Sequence, residues 1–152
     1  MTKKERVQSV IKRRTPDRVP VGFWYHFPES AQHGTAAVKA HVDFLKETDV
    51  DLLKIMNENL YRMDAPPRSA SDWKDLSAAP LSAPFYRRQL EIVRRVLEAV
   101  NDSVYTLITI HGVFASAFHA FGLSDDKFDS DNPVEQHLAE NPEAVAAGLR
   151  TV

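Results

Sequence analysis

The sequence predicts an α/β protein built on a parallel sheet, and three observations predict it. Runs of strand length, rich in apolar and β-branched residues, alternate with segments of helical periodicity three times in succession. The strand candidates are apolar at nearly every position, as strands covered on both faces are. The 152 residues, 43% hydrophobic and 26% charged with 9 Pro and 5 Gly, fit one ordinary globular domain. That composition excludes collagen-like, coiled-coil and wholly disordered chains.

Residues 1–18 form an amino-terminal helix and lead-in. Thr2-Lys3-Lys4-Glu5 has capping-box spacing, and Val7, Val10 and Ile11 follow at helical intervals, so a helix is predicted over residues 3–13. Thr15-Pro16-Asp17-Arg18 breaks it. Residues 19–152 then carry three strand–helix units. The run Val19-Pro20-Val21-Gly22-Phe23-Trp24-Tyr25-His26-Phe27 reads as a first, buried strand closed by Pro28. A helix follows over residues 35–48, with Thr35 as its cap and Val38, Val42 and Leu45 on its inner face. Asp51 to Met56 is the second strand. Residues 57–83 make a long connection, which Trp73 and Leu76 are expected to pin to the body.

Pro84 starts the clearest helix. Tyr86, Leu90, Val93, Leu97 and Val100 recur at helical spacing and predict its buried stripe; Asn101-Asp102 ends it. Val104 to Ile110 is the third strand, and His111-Gly112 turns the chain into a short apolar helix that stops at Gly122. Asn132-Pro133 and Asn141-Pro142 each place a capping residue before proline, so two more helices start there. The second is expected to run to the last residue, Val152.

Charge and composition remove several function classes. Lys+Arg of 19 against Asp+Glu of 21 gives a net charge of −2, which offers nothing to a nucleic acid as a whole. The charge is uneven: residues 1–18 carry seven basic and two acidic side chains, a pattern read as a solvated basic helix rather than a phosphate-contacting arm. The absence of cysteine excludes a disulfide framework, a thiolate nucleophile and any Cys-containing zinc site in these residues. No apolar run approaches the roughly 18–20 residues of a membrane helix. Met1 to Glu5 lead into a charged helix rather than an apolar signal, so a cytoplasmic location with no membrane partner is the expectation.

Parallel α/β sheets bind ligands beyond the carboxyl ends of their strands. The three predicted strands end in Trp24-Tyr25-His26-Phe27, in Met56-Asn57-Glu58-Asn59 and in Ile110-His111-Gly112. His26, Asn57 and His111 are therefore the candidate ligand-contacting residues, with Trp24, Tyr25 and Glu58 beside them. Imidazole can donate, accept or titrate near neutral pH, whereas the Asn57 amide can only hydrogen-bond. His33, His41, His119 and His137 fall on helices or loops and are read as surface or packing residues. His26, Glu58 and His111 have donor types that suit zinc but lack any local ligand spacing, so no metal site is assigned. No Gly-rich phosphate loop and no G-x-S-x-G elbow is present.

Thr2-Lys3-Lys4-Glu5-Arg6-Val7 followed by Pro16-Asp17-Arg18-Val19-Pro20-Val21 resembles the amino-terminal signature of the uroporphyrinogen decarboxylase superfamily. Asp49 to Asn57 and the helix start Asn141-Pro142-Glu143-Ala144-Val145 fit the same family in order and spacing. The resemblance implies a (β/α)8 TIM barrel with its site at the carboxyl ends of the strands. It also implies one of two activities: decarboxylation of a tetrapyrrole, or corrinoid-dependent transfer of a methyl group to coenzyme M or a similar thiol. Decarboxylases of the family carry an Arg-Gln-Ala-Gly-Arg segment after their first strand and an aspartate that holds the pyrrole N–H groups. Here the first stretch is Phe23 to Pro28 without arginine, and Asn57 aligns with the aspartate. An amide cannot supply the anionic charge that stabilises a protonated pyrrole. The resemblance therefore favours the methyltransferase branch. Its zinc ligands and its corrinoid protein partner would belong to a full-length parent, with no cofactor held by these residues alone.

A barrel of this kind takes about 250 residues, and 152 residues with about three strands cannot close one. The expectation is thus the amino-terminal part of an incomplete barrel, inactive alone and prone to self-association through its open edges. The alternative is a catalytically incomplete binding or assembly module that a partner chain completes.

Overall fold

The computed structural model describes residues 1–123 and 132–151. The chain is α/β with mostly helices, and it divides into two compact units. The first holds Met1–Asn59 and Tyr86–Ile110; the second holds Leu60–Phe85 and His111–Val152.

The first unit contains α1 (Lys3–Ile11), α2 (Gly34–Thr48), β1 (Leu52–Ile55), most of α3 (Pro84–Val100) and β2 (Tyr105–Ile108). β1 and β2 pair in parallel, Leu52 opposite Tyr105 and Ile55 opposite Ile108, in a small open two-stranded sheet. One face of β1 is closed by Leu53 and Ile55, both fully buried with Val38, Phe44, Ile92 and Val96 of the helices. The Thr2 hydroxyl accepts from the Glu5 N–H while Glu5 accepts from the Thr2 N–H, the capping box the spacing predicts.

Three expectations need correction. First, residues 19–27 form no strand. The chain there is extended, but its backbone meets β1 only where the Asp51 and Leu52 N–H groups donate to the Val21 carbonyl, at 2.7 and 3.2 Å. Side chains still alternate. Phe23, Tyr25 and Phe27 turn toward Phe44 of α2, with ring centroids 5.5, 5.5 and 6.4 Å away. Only Phe27 is buried; Phe23, Trp24 and Tyr25 are about half exposed, at 47%, 55% and 52%. Apolar density reported the aromatic packing on α2, not a ladder of hydrogen bonds.

Second, of the predicted stripe of α3 only Val100 is buried and Val93 packs against the core; Tyr86, Leu90 and Leu97 face outward, and Ile92 and Val96 are buried instead. This helix carries two apolar stripes, and periodicity cannot choose between them. Third, α2 begins at Gly34 with His33 as its N-cap residue, not at a Thr35 cap, and His33 makes no side-chain capping bond.

The basic amino terminus is largely spent on ion pairs. Lys3 meets Asp49 at 2.7 Å, and Lys4 meets Asp102. Arg6 donates to Asp17 and, at 2.6 Å, to Asp51, whose side chain is fully buried. Arg18 donates twice to Asp51, at 2.6 and 3.1 Å, and the Val21 N–H adds a fourth bond at 2.9 Å. The Pro16-Asp17-Arg18 lead-in is thereby tied to the start of β1.

In the second unit a six-residue 3₁₀ segment, Ala70–Asp75, packs with α4 (Val113–Ala120), α5 (Pro133–Glu140) and α6 (Pro142–Leu149). Asn132 and Asn141 cap their helices by accepting from Val134 and Ala144 N–H groups, as their place before proline predicts. Trp73 is fully buried, its indole N–H donating to His137 Nδ1 at 3.0 Å. It does pin the long connection. α6 closes at Leu149 rather than running on to Val152, which lies outside the described residues.

Gly148 lets α6 reach this tryptophan. A Cβ at position 148 would sit 2.5 Å from the Trp73 carbonyl oxygen and 2.9 Å from its ring. Gly148→Ala is expected to cost about 1–3 kcal/mol. Thermal denaturation checks this, and an unchanged Tm would show that the contact is looser than the packing described.

Candidate functional site

Beyond the carboxyl end of β1 the chain runs Met56-Asn57-Glu58-Asn59. His41, on α2, holds this stretch in place. Its Nδ1–H donates to the Ala37 carbonyl at 2.7 Å, which leaves Nε2 to accept the Met56 N–H at 2.9 Å. The second bond requires the neutral ring, because a protonated Nε2 has no lone pair to accept with. Burial holds the imidazole below its ordinary pKa, against the opposing pull of the Ala37 carbonyl and the Glu58 charge. His41 thus packs in the core, and it also sets where the rim begins. Gln89 of α3 adds a second tie, donating to the Met56 carbonyl at 3.0 Å and accepting from Asn59 Nδ2 at 2.9 Å.

On this support His26 and Glu58 meet. His26 Nδ1 lies 2.9 Å from Glu58 Oε1, with the imidazole side chain 65% exposed and the carboxylate 10% exposed. A sheltered carboxylate that fixes one ring nitrogen leaves the other to exchange protons or bond to a ligand. Trp24, two residues earlier on the same side of the extended segment, lies under the Lys54 ammonium, 4.0 Å from its ring centroid.

Three buried polar atoms in this unit have no hydrogen-bond partner among the described residues: Asn57 Oδ1, Asn59 Oδ1 and Thr109 Oγ1. Asn57 and Asn59 follow β1, and Thr109 directly follows β2. Because the strands run parallel in register, all three stand past the carboxyl ends of the sheet. A buried acceptor left unpaired costs about 1–3 kcal/mol, so a cluster of them at one rim asks for donors from outside.

The structure therefore brings His26 and Glu58 together and places Asn57 beside Glu58 in the chain. Trp24 shares the His26 side; Tyr25 turns the other way, onto Phe27 and Phe44. His111 belongs to the second unit, where its ring meets His119 edge-on at 4.7 Å. Sequence reasoning missed Asn59, Thr109 and Lys54. Asn59 was within reach of it, as a second amide two residues past Asn57. Among the described residues no three His, Cys, Asp or Glu side chains come together as metal ligands. Among them, too, no helix is long and apolar enough to cross a membrane.

Comparison with family models, with curated proteins and with solved structures finds no match to the chain.

Proposed function

We propose that the chain forms the first strands and helices of a (β/α)8 barrel enzyme of the uroporphyrinogen decarboxylase type, and that its reaction is corrinoid-dependent methyl transfer to a thiol. One observation carries the choice of branch: the rim offers the His26–Glu58 pair and unpaired amide carbonyls, with Asn57 where a decarboxylase needs an aspartate. A thiol must lose its proton to accept a methyl group, and the outward nitrogen of His26 is a group that can take it. Asn57 and Asn59 would orient the ligand by accepting its donors. A corrinoid bound to a partner protein would supply the methyl group.

Calorimetric binding of 2-mercaptoethanesulfonate and of uroporphyrin to the protein tests this reading. The thiol is expected to bind and the porphyrin not, His26→Ala is expected to weaken the thiol, and Asn57→Asp to gain porphyrin binding. Tight porphyrin binding by the unaltered chain, with no thiol binding, would reverse the assignment.

Exposed apolar groups support a second reading, a module completed by a partner chain. Leu107, Ile108 and Ile110, on and just after β2, are 39%, 45% and 89% exposed, and Leu90 on α3 is 65% exposed. Such surfaces drive association. Light scattering is expected to show self-association that grows with concentration; a compact monomer throughout would count against it.

A further inference from the structure

A second candidate site lies away from the rim pair, between the start of α2 and the first turns of α3. It is a cleft of about 400 Å³ lined by Gly34, Arg87, Arg88, Glu91, Ile92 and Arg95. That volume falls in the range of small-ligand pockets. Its charge is what distinguishes it. Arg94, the neighbour outside the cleft, holds both nearby carboxylates, Glu91 at 2.8 Å and Glu98 at 2.5 Å. Arg87, Arg88 and Arg95 pair with no carboxylate among the described residues. Arg95 instead donates to the Thr35 hydroxyl at 3.1 Å, which seats its guanidinium at the first turn of α2. The N–H groups of that turn receive no side-chain cap from His33. Ile92, 2% exposed, gives an apolar floor.

We propose that this cleft binds a small phosphorylated ligand, a phosphate ester or a diphosphate. Three guanidiniums at one opening, with Glu91 as their one carboxylate and that already hydrogen-bonded to Arg94, leave an excess of positive charge for an anion to bridge. Guanidinium forks match phosphate oxygens two at a time. Gly34, the first residue of α2, lines the same cleft, so the uncapped first turn adds N–H donors and the positive end of the helix dipole beside it. Glu91 is the one anionic wall. Its hydrogen bonds to Arg94 hold its carboxyl below the ordinary carboxylate range, so it stays charged and limits the ligand to the arginine side.

The test is titration of the isotope-labelled chain with pyrophosphate, followed by NMR at the backbone and arginine side chains. Saturable shifts are expected at Gly34, Thr35, Arg87, Arg88 and Arg95, with inorganic phosphate weaker. The exposed pair Arg87→Gln/Arg88→Gln is expected to lower affinity about tenfold or more. Glu91→Gln is expected to raise it. Arg13→Gln/Arg14→Gln removes the same charge elsewhere and is expected to leave affinity within about twofold. No saturable shift at millimolar pyrophosphate, or an equal fall in both arginine pairs, would overturn the proposal. So would binding only to phosphatidylcholine vesicles that carry phosphatidylinositol 4-phosphate, with no response to soluble phosphates.

Discussion

Replacing Asp51 by Asn is expected to destabilise the protein by about 3–5 kcal/mol, the range for breaking a buried ion pair from one side. The residue is fully buried and accepts four hydrogen bonds, from Arg6, twice from Arg18 and from the Val21 N–H. An asparagine would leave Arg6, itself 7% exposed, with half of its anionic partners. Asp49→Asn is the control: that side chain is 80% exposed and its loss should barely move Tm.

The same network sets an acid limit. Burial works to raise the Asp51 carboxyl, but the Val21 N–H and the two arginines outweigh it and hold it below its ordinary value. Hydrogen bonds from Arg6 hold Asp17 well below the carboxylate range. Carboxyls lowered on folding stabilise the native state above their unfolded pKa, about 3.9, and lose that contribution as pH falls through the folded values. The protein should therefore lose stability steeply below about pH 4, and Asp51→Asn should flatten that limb. Urea denaturation across pH reads both effects.

His41→Ala is the second large effect expected, about 3 kcal/mol from the lost ring and the orphaned Met56 N–H. The ring packs on Phe27 at 4.7 Å, so the substitution opens a cavity as well as breaking a bond. Its pH signature lies higher. A histidine lowered on folding contributes fully above its unfolded pKa, about 6.5, and loses that contribution as pH falls toward the folded value. The unaltered protein should weaken as pH falls below about 6.5, and His41→Ala should remove this part of the profile. A variant as sensitive there as the parent would assign the slope elsewhere. His41→Ala should also loosen the stretch that presents Glu58, and so lower the affinity of any rim ligand.

Local signals made much of this fold legible. The Thr2–Glu5 spacing, the two Asn-Pro starts and the Gly122 stop are each a backbone requirement met by a particular residue, and each helix end they predict is present. Residues 19–27 were misread because aromatic rings packed on one helix and a strand covered on both faces leave the same composition. The outward stripe of α3 misled for a similar reason, since Leu90 and Leu97, seven apart, keep helical spacing as Ile92 and Val96, four apart, do, with opposite exposure. At the site, Glu58 and Asn57 follow from the rule that loops beyond parallel strands carry chemistry, whereas His26 is singled out by a strand that residues 19–27 do not form. Their pairing does not follow, because it depends on the chain returning Glu58 to His26 across a sequence separation of 32. Asp51 could have been noticed: a carboxylate between Val50 and Leu52 at the head of an apolar strand needs buried cations.

The central claim is that ligand binds at the carboxyl rim of the sheet, on His26, Glu58 and the unpaired amides. Mapping 2-mercaptoethanesulfonate by NMR on the backbone and imidazole signals tests it most directly. The expected result is saturable shifts at the Asn57, Glu58, Asn59 and Thr109 amides and at the His26 ring, abolished by His26→Ala. Shifts confined to other residues, with the His26 ring and these four amides unmoved, would contradict it.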